Sequence, residues 1–221
     1  MFTLRKRKRS ELPDFWLAYE SHFADKKHAS IDETRFVVLD TETTGFDFTK
    51  DRILSIGAVS VRKQTIAVAD VFEVYILQDH FNPKTVEIHG ILKEEKLNKV
   101  EELDALKMFL DYVKGAIIVA HHAYFDITMI NRALKRHHLP SLKNLVMDTN
   151  DLYKRTRIAT NLIDRDKNYS LDEICDALLV PLKDRHTAAG DAYLTAIAFL
   201  KIISKLKKGN RKLSLKKLLK K

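Results

Sequence analysis

Asp40 and Glu42 in FVVLDTETTG (36–45), Asp126 in VAHHAYFD (119–126), and His186 with Asp191 in HTAAGD (186–191) are four carboxylates and one imidazole in a fixed order. Four acids brought to one place would bind two divalent cations. A histidine beside them could take a proton from water. That combination suits hydrolysis of a phosphodiester bond, where the cations stabilise the attacking and leaving oxygens of an in-line displacement. Each piece alone says little, because D-x-E and H-x4-D are common and Asp126 could equally be a helix N-cap. The information lies in the three together, each at the edge of an expected strand or helix.

The elements must then place these groups. In a strand, residues i and i+2 share a face, so Asp40 and Glu42 project together from the end of a strand beginning at Phe36. Gly45 follows, allowing close backbone approach or a positive φ. The β-branched runs 53–61 and 68–77 read as two further strands, giving an antiparallel meander. Leu103, Leu106, Leu110 and Val113 mark one face of a helix over 100–113. A short buried strand (116–120), a helix (124–138), a further strand (145–147) and helices over 170–179 and 188–200 complete the order. Ser170 before Asp172 and Glu173 suits a helix start. Leu12, Phe15, Trp16, Tyr19 and Phe23 form a helical stripe ahead of the domain. Residues 157–169 show no period and read as a loop. The expectation is one α/β domain with a mixed sheet, over 35–203, between a basic N-terminal extension with a helix (1–34) and a basic C-terminal tail (204–221).

The net charge of +9 is unevenly spread. Residues 1–9 hold five Lys or Arg and no acid, and residues 201–221 hold nine Lys, Arg211 and no acid. The body between them keeps 24 basic residues against all 30 acids, a balance of −6. An acidic body fits a cation site, and basic ends fit phosphate backbones. No apolar run approaches the roughly 20 residues of a membrane span, and the basic start is not followed by a signal-peptide core. A single cysteine, Cys175, excludes a disulfide framework and reads as a small buried hydrophobe. The expected compartment is the cytoplasm.

With these residues in view, the chain resembles the DEDDh branch of the DEDD 3′→5′ exonucleases. It is most similar to the proofreading (epsilon) subunit of bacterial DNA polymerase III and its stand-alone relatives. LDTETTG, HHAYFD and HTAAGD match the three motifs, the last in its H-x4-D form. ILSIGAV (53–59) resembles the family's second strand, and IHGI (88–91) its substrate-side segment. The resemblance implies a ribonuclease H-like mixed five-stranded sheet flanked by helices. It implies that Asp40, Glu42 and Asp191 hold one Mg²⁺ or Mn²⁺. Asp40 would bridge to a second, with Asp126 nearby, and His186 would be the general base. Thr43 and Thr44 match positions that touch the terminal nucleotide through backbone. Phe46 matches an apolar wedge between the last two bases, and His89 and Ile91 match the nucleotide pocket. The implied product is a nucleoside 5′-monophosphate released from a DNA 3′ end, with a DNA polymerase as a partner class and no membrane. His122 stands where the family has Asn, and His121 reads as structural. The tail offers no clear glutamine-led clamp-binding peptide. Two alternatives stay open: an RNA-trimming exonuclease of the same branch, since 2′-OH discrimination depends on pocket shape, and a non-catalytic scaffold, against which the intact set of five argues.

Overall fold

The computed structural model describes residues 11–24, 30–79, 97–157, 167–182, 185–210 and 213–220. The element order is α1 (Asp14–Ser21), β1 (Phe36–Thr43), β2 (Ile53–Arg62), β3 (Thr65–Ile76), β4 (Lys99–Val100), α2 (Glu102–Val113), β5 (Ile117–Ala120), α3 (Tyr124–Arg136), β6 (Val146–Asp148), α4 (Thr149–Lys154), α5 (Leu171–Ala177), α6 (Ala188–Gly209) and α7 (Leu215–Leu218). The strands form one mixed sheet in the order β4-β3-β2-β1-β5-β6. The meander holds: β1–β2 and β2–β3 are antiparallel. The other three pairings are parallel. The sheet has six strands rather than the expected five. The sixth is β4, two residues that pair with Tyr75 and Ile76 where a helix was expected to begin.

Central β1 and β2 are apolar on both faces, because each face carries its own helical layer. Val37 and Leu39 join the core under α1, α2 and α3, with Trp16, Phe109 and Ile130. Phe36 and Val38 point the other way, into the core under α5 and α6 with Ile174, Phe199 and Ile202. Alternation along β1 thus assigns odd positions to one layer and even positions to the other.

The amphipathic stripe at the N-terminus packs onto the domain. Trp16 and Tyr19 are buried, and the Tyr19 hydroxyl donates to Asn144 Oδ1 at 2.5 Å while accepting from the Lys143 N–H at 2.8 Å. At the other end, α6 continues past residue 203 to Gly209, and residues 213–220 fold back. Leu218 is buried in the α6 core. Arg155 donates to the backbone carbonyls of Lys217, Leu218 and Lys220. Cys175 is buried and unbridged. No helix among the described residues is long and apolar enough to cross a membrane.

Candidate active site

Asp40 and Glu42 occupy even positions of β1, on the α6 face. Both acids lie within the strand, near its end, as expected. Across β2, Asp40 is opposite Gly57. A Cβ on Gly57 would sit 2.1 Å from the Ala188 carbonyl carbon and the Ala189 nitrogen. The first turn of α6 therefore rests directly on bare backbone, a close approach that only glycine permits. Thr187 caps that turn by accepting from the Gly190 N–H at 3.1 Å. Asp191, on the same turn, is brought down onto the two strand acids: one ligand oxygen from each of Asp40, Glu42 and Asp191 lies within 4.8 Å of the others.

Asp126 arrives from the opposite layer. β5 pairs with β1 only as far as Val38, so the N–H of Thr41 has no strand partner on that side. The Asp126 carboxylate takes its place, accepting from the Thr41 N–H at 3.0 Å and the Thr41 hydroxyl at 2.7 Å. It is buried. The turn carrying Asp126 is itself pinned by Asp148, which accepts from the backbone N–H groups of His122 (3.2 Å), Ala123 (2.8 Å) and Asn150 (2.8 Å). His122 adopts a left-handed conformation with φ 53°, a region where Asn and His are both enriched.

His186 is exposed at the rim, also left-handed at φ 66°. Its N–H donates to Asp191 Oδ2 at 3.3 Å. His121 is held by Thr149 Oγ1 at 3.0 Å. Burial first, then the neighbouring His122, pushes its pKa down to about 3, which favours the neutral ring. Thr43 and Thr44 are buried, and their hydroxyls serve the turn: Thr43 donates to the Gly45 carbonyl (2.8 Å) and Thr44 to Asp51 (2.7 Å). Gly45 gives close approach, since a Cβ there would meet Asp51 Oδ2 at 2.5 Å. Phe46 is 77% exposed, with its ring 5.6 Å from that of Phe125. His89 and Ile91 lie outside the described residues.

Asp40, Glu42, Asp126, His186, Asp191 and Phe46 line one open pocket of about 410 Å³. Burial pushes Asp40 well above the ordinary carboxylate range, reinforced by the charges of Asp126, Glu42 and Asp191. Burial, with Asp191, raises Glu42 to about 7. Burial raises Asp126 to about 7 against its hydrogen bonds from Thr41. Such a cluster of crowded carboxylates, which a cation would let ionise together, offers oxygen donors alone and fits a hard divalent cation. Three residues of the assembly escaped the sequence reading. Gly57 carries a signal, being a glycine inside a strand. Asp148 and Arg185 carry none, since their roles exist only through contacts made in the fold.

Comparison with known proteins gives the family. The RNase T exonuclease family model matches residues 37–199. The chain is 36% identical over 177 residues to a PolC-type DNA polymerase III of Caldanaerobacter subterraneus subsp. tengcongensis, across 79% of this chain but 12% of that protein. It is 33% identical over 178 residues to the DNA polymerase III subunit epsilon of Salmonella typhimurium, across 76% of this chain and 70% of that one. Among solved structures, E. coli Exonuclease I in complex with a dT13 oligonucleotide superimposes with a TM-score of 0.65 at 18% identity, across 81% of this chain and 42% of that chain. The ribonuclease H-like architecture is therefore shared, and this chain belongs to the RNase T exonuclease family.

Proposed function

We propose that the chain is a metal-dependent 3′→5′ exonuclease that removes nucleoside 5′-monophosphates from DNA 3′ ends, single-stranded or frayed. The observation that carries this reading is the convergence of Asp40, Glu42 and Asp191 within 4.8 Å, in a pocket that also presents His186 and Phe46. Asp40, Glu42 and Asp191 would hold one Mg²⁺ or Mn²⁺, with a second between Asp40 and Asp126. When bound, the cations stabilise charge on the attacking and leaving oxygens. His186, at the open rim, accepts the proton of the attacking water and returns it to solvent. The exposed ring of Phe46 stacks on a terminal base, a contact that tolerates any sequence. Thr43 and Thr44 fix the backbone against which the 3′ nucleotide rests. Support for DNA comes from the similarity to polymerase III proteins, which also makes a replicative polymerase the partner class to test.

The test is degradation of matched 5′-labelled DNA and RNA oligonucleotides in Mg²⁺, Mn²⁺ or EDTA, with His186→Ala as control. The expected result is a metal-dependent ladder of shortening DNA, slowed at least a hundredfold in the variant. A ladder mainly on RNA would move the substrate class. No metal-dependent ladder on either would overturn the reading.

A further inference from the structure

Among the described residues lining the site pocket, Arg185 is the one cation besides the histidines. Its guanidinium is shared between two carboxylates. Nη1 forms a short ion pair with Asp191 Oδ1, and Nε donates to Asp172 Oδ1 at 2.8 Å. Asp172 lies in the first turn of α5 and its side chain is 53% exposed. Asp191 has only two oxygens, and both are engaged: Oδ1 by Arg185 and Oδ2 by the His186 N–H. The His186 donor is backbone and fixed by the turn. Arg185 is a side chain with a second partner close by.

We infer that Arg185 is a resident counter-ion, occupying Asp191 Oδ1 in the metal-free protein and competing with the divalent cation for it. This rests on the metal site of the proposed function and adds a positioning residue to it. A single positive charge stands in for part of the charge the cation would supply. It offsets the repulsion among three clustered carboxylates before metal arrives, and repulsion between two cations drives it off Oδ1 when metal binds. Asp172 makes that release inexpensive, because the guanidinium keeps one charge-assisted hydrogen bond. Affinity for metal is therefore the difference between two pairings of Asp191.

The test is calorimetric titration of Mn²⁺ into the full chain without nucleic acid, comparing wild type with Arg185→Gln and Arg185→Lys. The Gln variant should bind Mn²⁺ at least threefold more tightly, and melt at lower temperature than wild type in EDTA. The Lys variant, which keeps the charge as a compact ammonium, should bind close to wild type. Equal or weaker Mn²⁺ binding by the Gln variant would overturn the inference while leaving the proposed function intact. Failure of wild type to bind Mn²⁺ would overturn both. A second readout follows the wild-type protein in Mg²⁺ titrations, with the Lys variant used only to assign the signal. The arginine side-chain NMR resonances missing from the Lys variant should move with metal occupancy; fixed resonances would show that Arg185 does not let go.

Discussion

Asp40, Glu42 and Asp126 should make the metal-free protein respond to pH in an unusual direction. Burial raises all three above the ordinary carboxylate range, Glu42 and Asp126 to about 7. Burial raises Asp148 as well. An acid whose folded pKa exceeds its unfolded value binds protons better when folded, so its stabilising protonation is complete at low pH and is lost as pH rises through the folded pKa. His121, lowered to about 3, opposes this below the ordinary histidine range, but it is one group against several. Acids held low by hydrogen bonds, such as Asp47 at about 2, titrate beneath the window. In EDTA the melting temperature should therefore fall as pH climbs from about 5 to 7.5, and Glu42→Gln should flatten the fall. Saturating Mn²⁺ should reverse the trend, because metal binds the deprotonated carboxylates. Thermal melts across pH decide the matter: a melting temperature in EDTA that rises steadily over this range would refute the assignment of raised acids.

At the scale of elements, the site exists because three segments from both helical layers meet at one end of β1. One close joint is α6 on β2. A methyl group on Gly57 would overlap the backbone of Ala188 and Ala189 at 2.1 Å, and backbone cannot swing aside as a side chain can. Gly57→Ala should lift the first turn of α6 and carry Asp191 away from Asp40 and Glu42. The expected result is at least a tenfold loss of Mn²⁺ affinity, with a stability loss of about 1–3 kcal/mol, typical of overpacking. Wild-type Mn²⁺ affinity in a folded variant would show that the joint has slack. The same joint shows what a sequence can disclose. The acids were legible because period-2 alternation and the order of motifs are local facts. The last step of β1, to Thr43, was not, because that polar residue is accommodated by its hydrogen bond to the Gly45 carbonyl. Helix α4 escaped for a similar reason: it is six residues long and capped by Asp148, whose other partners lie 25 and 26 residues away.

Over the whole molecule, charge is divided between an acidic body and basic ends, and the fold brings one basic end back to the body. Leu218 is buried among the residues of the α6 core, a contact that stabilises the docked segment by roughly 2 kcal/mol. Leu218 and Lys220 share a groove with Tyr124 and Asp148, and Phe125, the neighbour of Tyr124, lines the site pocket. Lys216 and Lys217 stay exposed on this segment, where they are free to meet a phosphate backbone. Removing the segment would mix lost packing with lost charge, so the cleaner change is Lys216→Gln with Lys217→Gln. Stability should hold, since neither side chain is buried. Affinity for a single-stranded oligonucleotide in EDTA should drop. The dependence of log affinity on log salt should become shallower by about 0.7 for each lysine that touches phosphate. Both lysines in contact would give a change near 1.4. An unchanged slope would mean that the docked segment serves the core alone and that the strand leaves the pocket by another face.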